Sequence, residues 1–262
     1  MAAAAIATRA HPRRSARSQQ AATGALAFNE LGGPLVAVCG LTGGAGTSTL
    51  ALLLARQAAA SSAAAILLSE ADPLHGGLAA LTARATPHPL IELARHVAEH
   101  DAPAETFVEL EGGLRLIAAP PRRCAPAAAD AITGLLAEAR AAHGLVIVDC
   151  ATSWARDSAI LTSATQILWT APATPAGVAR AAALLASDVL PPPGRSLEVL
   201  VAIARQPRPP VSVRVLRRLA GQHCERLVLI PYSDAVARGE LLVDEPVMHA
   251  LAGLAPVLRR AR

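Results

Sequence analysis

The chain of 262 residues contains no lysine, so all 24 of its basic residues are arginine. No lysine side chain can therefore take part in any site that this protein builds. Aromatic residues make up only 2% of the chain, whereas hydrophobic residues make up 53%. The core must therefore be built from aliphatic side chains, and binding of nucleic acid through base stacking is disfavoured.

Cysteine and long apolar runs are also scarce. The first 25 residues lack the apolar stretch of a secretory signal, and residues 1–33 are expected to form a disordered basic tail. The uncharged stretches 31–55 and 158–179 are interrupted by Gly, Pro, Ser or Thr and are not expected to span a membrane. The four cysteines have no CxxC spacing, which predicts small buried residues in a reducing cytoplasm rather than a metal site; they are Cys39, Cys124, Cys150 and Cys224.

The positive charge of the chain is concentrated at its two ends. The net charge is +4, but four arginines lie within residues 1–33 and three within 259–262, so that the body between them is slightly acidic. An acidic body argues against a general nucleic-acid-binding protein.

From residue 34 onward, short aliphatic runs alternate with segments of helical character. The runs are continuously apolar, as in strands that are covered on both faces of a parallel sheet. This alternation predicts a single doubly wound α/β domain over residues 34–262, with ligands bound beyond the carboxyl ends of the strands. The predicted strands are 35–39, 65–69, 114–118, 145–149, 166–170, 197–203 and 226–230, and the predicted helices are 48–60, 89–99, 126–143, 174–188, 211–220 and 246–259.

The segment "CGLTGGAGTSTL" (39–50) joins the first predicted strand to the first helix. Its glycines can adopt backbone angles that let consecutive N–H groups converge on an anion, and the positive end of the helix dipole points to the same place. Ser48 is placed to bind magnesium and Thr49 to bind an α-phosphate; the alternative is a glycine-rich turn that binds nothing. The predicted cofactor-binding residues are Gly43, Gly44, Ala45, Gly46, Thr47, Ser48 and Thr49.

This segment resembles the deviant Walker loop, KGGxGK[ST][ST], of the MinD/ParA family of ATPases. In that family the first lysine reaches across a nucleotide-sandwich dimer, and the second holds the β- and γ-phosphates. Alignment on the glycines places Thr42 and Thr47 at those two positions, so both lysines are missing.

Further segments match the family in order, over residues 34–258. "LLSEADPLHGG" resembles the second-strand motif that positions magnesium and the attacking water, which implies catalytic roles for Glu70 and Asp72. "HGLVIVDC" resembles the Walker B strand and implies that Asp149 lies near the magnesium. "LVAIARQP" places Ala204 where the family often has an asparagine that reads adenine, and "LIPYSDAVARGELLVDEPV" resembles a late segment of the family. The carboxylates have structural alternatives, a helix cap for Asp149 and a turn at Asp72.

Within the family, the chain looks most like actinobacterial CpaE-like proteins, which include septum-site-determining proteins and relatives encoded beside Tad (Flp) pilus secretion genes. Several of these also carry a GGAG(A/T)ST loop without the lysine. The resemblance implies a cytoplasmic homodimer with pilus-secretion or cell-division partners and peripheral contact with the membrane.

The missing lysine has an energetic consequence. A charge-assisted hydrogen bond to phosphate contributes about 1.5–3 kcal/mol, so ATP or ADP with magnesium should bind about ten- to a hundred-fold more weakly. Hydrolysis should be very slow, because its transition state needs cations around the γ-phosphate. Arg156 is the arginine nearest to the Walker B strand that could substitute; the alternative is an active magnesium-dependent ATPase with an unrecognised cation.

Two surface features carry alternatives of their own. The apolar positions 247, 251, 254 and 258 form a helical stripe that either packs on the sheet, which we favour because of Pro256, or docks on a membrane. A late basic cluster could bind DNA as in the ParA branch, but it is better explained as a solvated charged face; it contains Arg205, Arg208, Arg214, Arg217, Arg218 and Arg226.

Overall fold

The computed structural model describes residues 32–71, 74, 77–99, 106–153, 158–187, 189–190, 196–241 and 243–254. These residues form an eight-stranded sheet whose strands are β1 (Leu35–Gly40), β2 (Ile66–Glu70), β3 (Val108–Glu109), β4 (Leu114–Ile117), β5 (Leu145–Ala151), β6 (Gln166–Pro172), β7 (Leu197–Ile203) and β8 (Arg226–Ile230). The strand order is β3-β4-β2-β5-β1-β6-β7-β8, and every pair is parallel except β3 with β4. The predicted doubly wound α/β fold is therefore confirmed.

The described helices pack on both faces of this sheet. They are α1 (Thr47–Ser61), α2 (Leu78–Thr82), α3 (Leu90–Glu99), α4 (Ala129–Ala142), α5 (Ser158–Ser163), α6 (Pro175–Ala186), α7 (Val213–His223), α8 (Asp234–Ala237) and α9 (Glu245–Ala252). The seven predicted strands and the first five predicted helices are confirmed with bounds that agree within three residues. The last predicted helix, 246–259, is described as α9 up to Ala252, where Gly253, a poor helix former, follows it, and residues 255–259 lie outside the described residues.

Both faces of the central strand are buried. Leu35, Ala37 and Cys39 belong to the core beneath α3, α4, α5, α6 and α7, whereas Val36 and Val38 belong to the core beneath α1, α2 and α9. Because successive side chains of a strand point to opposite faces, a strand covered on both sides must be apolar throughout. The uninterrupted aliphatic runs of the sequence follow from this arrangement.

The middle of helix α1 is buried on all sides, whereas Arg56, Ala60 and Ser61 near its end are exposed. Six consecutive residues, from Leu50 to Ala55, are buried, and they pack in the same core as β1, β2 and β5. A helix that is apolar on all sides belongs to the interior of a protein. The segment before α1 is therefore held between the central strand of the sheet and a helix embedded in the core.

The apolar stripe near the end of the chain packs on the sheet. Val247, Leu251 and Leu254 are at most 1% exposed and belong to the same core as α1, which confirms the packing interpretation for these three positions. Leu258 and Pro256 lie outside the described residues. Within the described part of the chain, no helix combines the length and the apolar character needed to cross a bilayer.

Two further features of the described chain are the state of its cysteines and the attachment of its N-terminal end. All four cysteines are free thiols; Cys39 and Cys150 are buried, whereas the other two are half-buried. The predicted tail lies outside the described residues up to residue 31. The backbone N–H of Gly33 donates to the carbonyl oxygen of Arg140 at 2.8 Å, and Arg140 Nε donates to the carbonyl oxygen of Gly33 at 2.7 Å. The start of the described domain is thereby attached to α4.

Candidate functional site

The predicted site residues gather at one edge of the sheet. Strand β1 lies between β5 and β6, and residues 41–46 connect its carboxyl end to α1. Because the neighbouring strands run parallel to β1, their carboxyl ends lie at the same edge. Glu70 ends β2, Asp149 lies near the end of β5, and Thr170 lies near the end of β6.

The backbone of the loop depends on glycine at two kinds of position. Gly44 and Gly46 have φ angles of +66° and +89°, in the left-handed region that other residues rarely adopt. Gly40 has an ordinary φ but no space, since a Cβ atom there would lie 2.8 Å from Thr47 Oγ1. The glycines therefore allow the chain to turn sharply and to pass close above the start of α1.

The start of α1 presents backbone donors to this loop. Among the described residues, the amides of Gly46, Thr47, Ser48 and Thr49 donate to no partner, whereas the amide of Leu50 donates to the carbonyl oxygen of Gly46 at 2.9 Å. The first turn of any helix leaves such donors unpaired, and the helix dipole makes them a favourable environment for an anion. Ala45 differs, because it is buried and its amide donates to the carbonyl oxygen of Thr42 at 3.3 Å.

The side chain of Thr47, at the position of the missing lysine, points beneath the loop. It is 7% exposed, and its Oγ1 lies 2.9 Å from Thr170 Oγ1. Thr170 uses its own proton to donate to the carbonyl oxygen of Cys39 at 3.2 Å, so Thr47 is the donor between the two hydroxyls. Of the groups of Thr47, only the backbone amide is therefore available to a phosphate.

The two predicted metal ligands, Ser48 and Asp149, lie together. Asp149 is 1% exposed, and its Oδ1 accepts a hydrogen bond from the Ala151 amide at 3.0 Å. Burial raises the pKa of Asp149 to about 6, although hydrogen bonding from the Ser48 hydroxyl and from the Ala151 amide lowers it. Within the described residues, the buried Oδ2 atom of Asp149 accepts no hydrogen bond.

This arrangement fits a magnesium ion. Magnesium prefers carboxylate and hydroxyl oxygens, and a divalent cation offsets the cost of burying a carboxylate. Ser48 and Asp149 supply these two oxygen types next to the unpaired amides of α1. The alternative role of Asp149 as a helix cap receives no support, because its Oδ1 bonds the amide of its own strand, two residues further on.

The predicted catalytic residues lie beside this pair or outside the described chain. Glu70 is 1% exposed, stands opposite Asp149 in the β2–β5 register, and accepts a hydrogen bond on Oε1 from the Leu78 amide at 3.3 Å. This contact ties the Glu70 carboxylate to the start of α2. Asp72 lies outside the described residues, as does Arg156, so the roles given to Asp72 and Glu70 remain predictions.

A cavity of about 290 Å³ opens beside the loop, between α1, the end of β7 and the segment that follows β8. Its lining is mainly aliphatic, with polar groups from Thr49, Arg205, Tyr232 and Ser233. Ala204 also lines this cavity; by resemblance to the MinD/ParA family, it takes the position of an asparagine that contacts adenine there. The Tyr232 hydroxyl donates to Asp234 Oδ1 at 2.9 Å, and this hydrogen bond raises the pKa of Tyr232. The cavity is therefore an apolar space with a polar edge, continuous with the start of α1 at Gly46 and Thr49.

Arg205, a member of the basic cluster late in the sequence, also reaches the loop. The guanidinium of Arg205 donates to the carbonyl oxygen of Gly44. A Cβ atom on Gly46 would lie 3.7 Å from Arg205 Nη2, so the guanidinium covers this part of the loop. This contact could have been expected from the sequence, because Arg205 follows β7 by two residues and therefore lies at the same edge of the sheet as the loop.

The fold and the loop together define a P-loop type of α/β protein. No known protein-family model matches the sequence, and no curated protein is detectably similar to it. Solved structures do match: a ParA family ATPase from Chlorobium tepidum TLS has 14% identity and a TM-score of 0.64, with 86% of this chain and 93% of that chain covered.

Two further solved structures have the same fold. The MinC:MinD cell division protein complex from Aquifex aeolicus matches with 18% identity and a TM-score of 0.61, covering 86% of this chain and 95% of that chain. Cobyrinic acid a,c-diamide synthase from Mycobacterium smegmatis, with bound ATP analog and magnesium, matches with 22% identity and a TM-score of 0.63, covering 87% and 94%. At these identities the likeness establishes the ParA/MinD type of P-loop fold.

Proposed function

We propose that this chain is a MinD/ParA-type, CpaE-like protein that binds ATP or ADP with magnesium weakly and hydrolyses ATP very slowly or not at all. Its proposed work is spatial, namely to help position septum or pilus-secretion machinery as a cytoplasmic homodimer with peripheral contact to the membrane. The loop 41–46, the amides at the start of α1 and the adjoining cavity are the proposed nucleotide site.

The observation that carries this proposal is the Ser48–Asp149 pair. A buried carboxylate whose Oδ2 lacks a hydrogen bond in the described part of the chain destabilises the fold, and a cation held there would remove that cost. Ser48 and Asp149 would hold the magnesium, and the amides of Gly46 to Thr49 would bind the phosphates. Bound magnesium supplies charge that compensates the phosphate oxygens.

Slow hydrolysis is proposed because the side chain of Thr47 lies beneath the loop. Its hydroxyl donates a hydrogen bond to Thr170 Oγ1, and the chain contains no lysine that could replace the missing one. The transition state of phosphoryl transfer spreads negative charge over the γ-phosphate oxygens, so its stabilisation requires cations placed at those atoms. Thr42 and Thr47 stand at both lysine positions of the resembled loop, so two of those cations are missing.

Calorimetric titration with ATP and with ADP, with and without magnesium, tests the proposal on wild-type protein, Thr47→Lys and Asp149→Asn. We expect weak magnesium-dependent binding by the wild type and about ten- to a hundred-fold tighter binding by Thr47→Lys, because a charge-assisted hydrogen bond is regained. Asp149→Asn should lose the magnesium dependence but keep the fold, as checked by circular dichroism.

Phosphate release measured on the same proteins separates a degenerate ATPase from an active one. We expect no robust turnover by the wild type. Robust turnover that Asp149→Asn abolishes would show an active magnesium-dependent ATPase instead. Absence of any nucleotide binding, with intact protein, would refute the nucleotide role itself.

DNA binding is a second candidate, supported by the surface of α7. Arg214, Arg217 and Arg218 are exposed there, and none of them forms an ion pair with any residue that the structure describes. Electrostatic contacts with DNA are strongest at low salt. Binding to duplex DNA at low salt that the double variant Arg217→Ala/Arg218→Ala loses, and that Arg180→Ala on α6 retains, would support this function.

A further inference from the structure

We propose that Arg205 supplies the cation that the loop itself lacks, by binding a phosphate group of the nucleotide from the end of β7. This inference rests on the proposed function of the loop as a nucleotide site. It concerns a residue outside the loop, and 161 positions in sequence separate Arg205 from the Gly44 carbonyl that it contacts.

The guanidinium of Arg205 lies at the loop, next to the start of α1. Arg205 donates through Nη2 to the carbonyl oxygen of Gly44, and this nitrogen lies beside Gly46, the residue that immediately precedes α1. The unpaired amides at the start of α1 begin at the same residue. An anion bound by these amides would therefore lie near the Arg205 guanidinium.

A guanidinium group is chemically suited to bind phosphate. It has five N–H donors in a planar arrangement, and phosphate oxygens accept such donors in pairs. The contact with Gly44 orients the group, and further donors are left for a ligand. Among the described residues, Arg205 is the one cationic side chain with a hydrogen bond to residues 41–49.

A third, independent observation indicates a ligand at this place. Asp149 is 1% exposed and its buried Oδ2 accepts no hydrogen bond within the described part of the chain, while Ser48 of α1 lies against the same carboxylate. The start of α1 thus has an oxygen-rich side at β5 and a cationic side at β7. A phosphate with its magnesium requires both kinds of group.

The alternative is that Arg205 only holds the loop in place through Gly44. Three substitutions distinguish the effect of the positive charge from the effect of the hydrogen bond to Gly44. Arg205→Gln keeps an N–H donor and removes the charge, Arg205→Lys keeps a charge, and Arg205→Ala removes both. Arg208→Ala is the matched control, because Arg208 is an exposed arginine in the same segment with no hydrogen bond to the loop.

Calorimetry with ATP, with pyrophosphate and with adenosine, each in the presence of magnesium, is the measurement. We expect Arg205→Gln and Arg205→Ala to weaken ATP and pyrophosphate by about ten- to a hundred-fold, as for a lost charge-assisted hydrogen bond. Arg205→Lys should recover part of the affinity, and Arg208→Ala should bind as the wild type does. Adenosine has no phosphate group, so its binding should change less than that of ATP and pyrophosphate in all of them, and unfolding by urea should show that each variant is folded.

The Arg205→Gln substitution is also made in a protein that carries Thr47→Lys, whose tighter nucleotide binding keeps a loss of affinity measurable. This double variant also shows whether the two cations act on the same phosphates. If both cations act on the same phosphates, Arg205→Gln should cost less affinity in that background than in the wild type, since interacting groups are not additive. Wild-type affinity in Arg205→Gln would overturn the inference and leave the proposed nucleotide site intact. Wild-type protein that binds neither ATP nor pyrophosphate would overturn both.

Discussion

The two sides of the loop before α1 differ in the charge and in the burial of their side chains. On the side of β5, Ser48 meets a fully buried carboxylate, Asp149, whose pKa burial raises to about 6. On the side of β6 and β7, Thr47 is satisfied by Thr170, and the cationic group is the exposed side chain of Arg205. The acidic side is thus embedded in the sheet, whereas the cationic side is contributed from the surface.

This difference in burial determines which side chains of the candidate site can be replaced without disturbing the core. A buried carboxylate is held by the strands that surround it, and it destabilises the fold unless a cation compensates it. A surface arginine can be placed at a loop from any neighbouring strand end without disturbing the core. If the loop binds phosphate as proposed, a cation can come from outside the loop although both signature lysines are absent from it.

The largest expected effect comes from Asp149→Asn. Because the folded-state pKa of Asp149, about 6, lies above its ordinary value of 3.8, the buried carboxylate destabilises the fold as pH rises through this window. The free energy of unfolding of Asp149→Asn, relative to the wild type, should therefore rise by about 2 kcal/mol from about pH 4 to about pH 8.

Urea denaturation of both proteins across this range measures the effect, and the difference between them removes the contributions of the other titrating groups. A difference that stays constant with pH would mean that Asp149 is not held in an unfavourable state. The contrast between the two sides of the loop would then fail.

A smaller effect is expected from the glycines of the loop. Gly46→Ala should lower the free energy of unfolding by about 1–2 kcal/mol, because a non-glycine residue is strained at its positive φ. The added Cβ atom would also lie 3.2 Å from Ile203 Cδ1. Gly43→Ala is the control, since nothing lies within 4 Å of a Cβ atom there and its φ is not positive. Equal denaturation curves for the two variants would contradict the described loop.

The smallest effect is expected from Thr47→Val. This change removes the hydroxyl that donates to Thr170 but keeps the shape of the side chain, so the free energy of unfolding should fall by about 1 kcal/mol. Affinity for nucleotide should stay at the wild-type level, because only the amide of Thr47 is proposed to bind phosphate. A clear loss of affinity by calorimetry would show that the hydroxyl takes part in binding.

The fold was predictable because its strands are buried on both faces. Continuous aliphatic runs such as Leu35 to Cys39 can form few other structures when helical segments lie between them, and their bounds were predicted closely. The elements β3, α2, α5 and α8 were not predicted, because two to six residues are too few to show a period in the sequence.

The site was predictable only in its local part. The loop and Ser48 follow one another in sequence, and Asp149 ends an apolar run, so a sequence pattern can identify them. The direction of the Thr47 side chain depends on Thr170, 123 positions away, and Arg205 reaches Gly44 across 161 positions. Such contacts depend on the order of the strands in the sheet, and no local sequence pattern shows this order.

The burial of α1 affects how a ligand meets the loop. With six consecutive residues buried, from Leu50 to Ala55, the first half of the helix is positioned by core packing, so the fold itself orients the donors of its first turn. Association then requires little ordering of the backbone, and ordering is one of the main costs of binding. If the loop binds phosphate as proposed, such a prearranged set of donors needs few further contacts, and the charge of a single guanidinium then makes a large difference to the affinity.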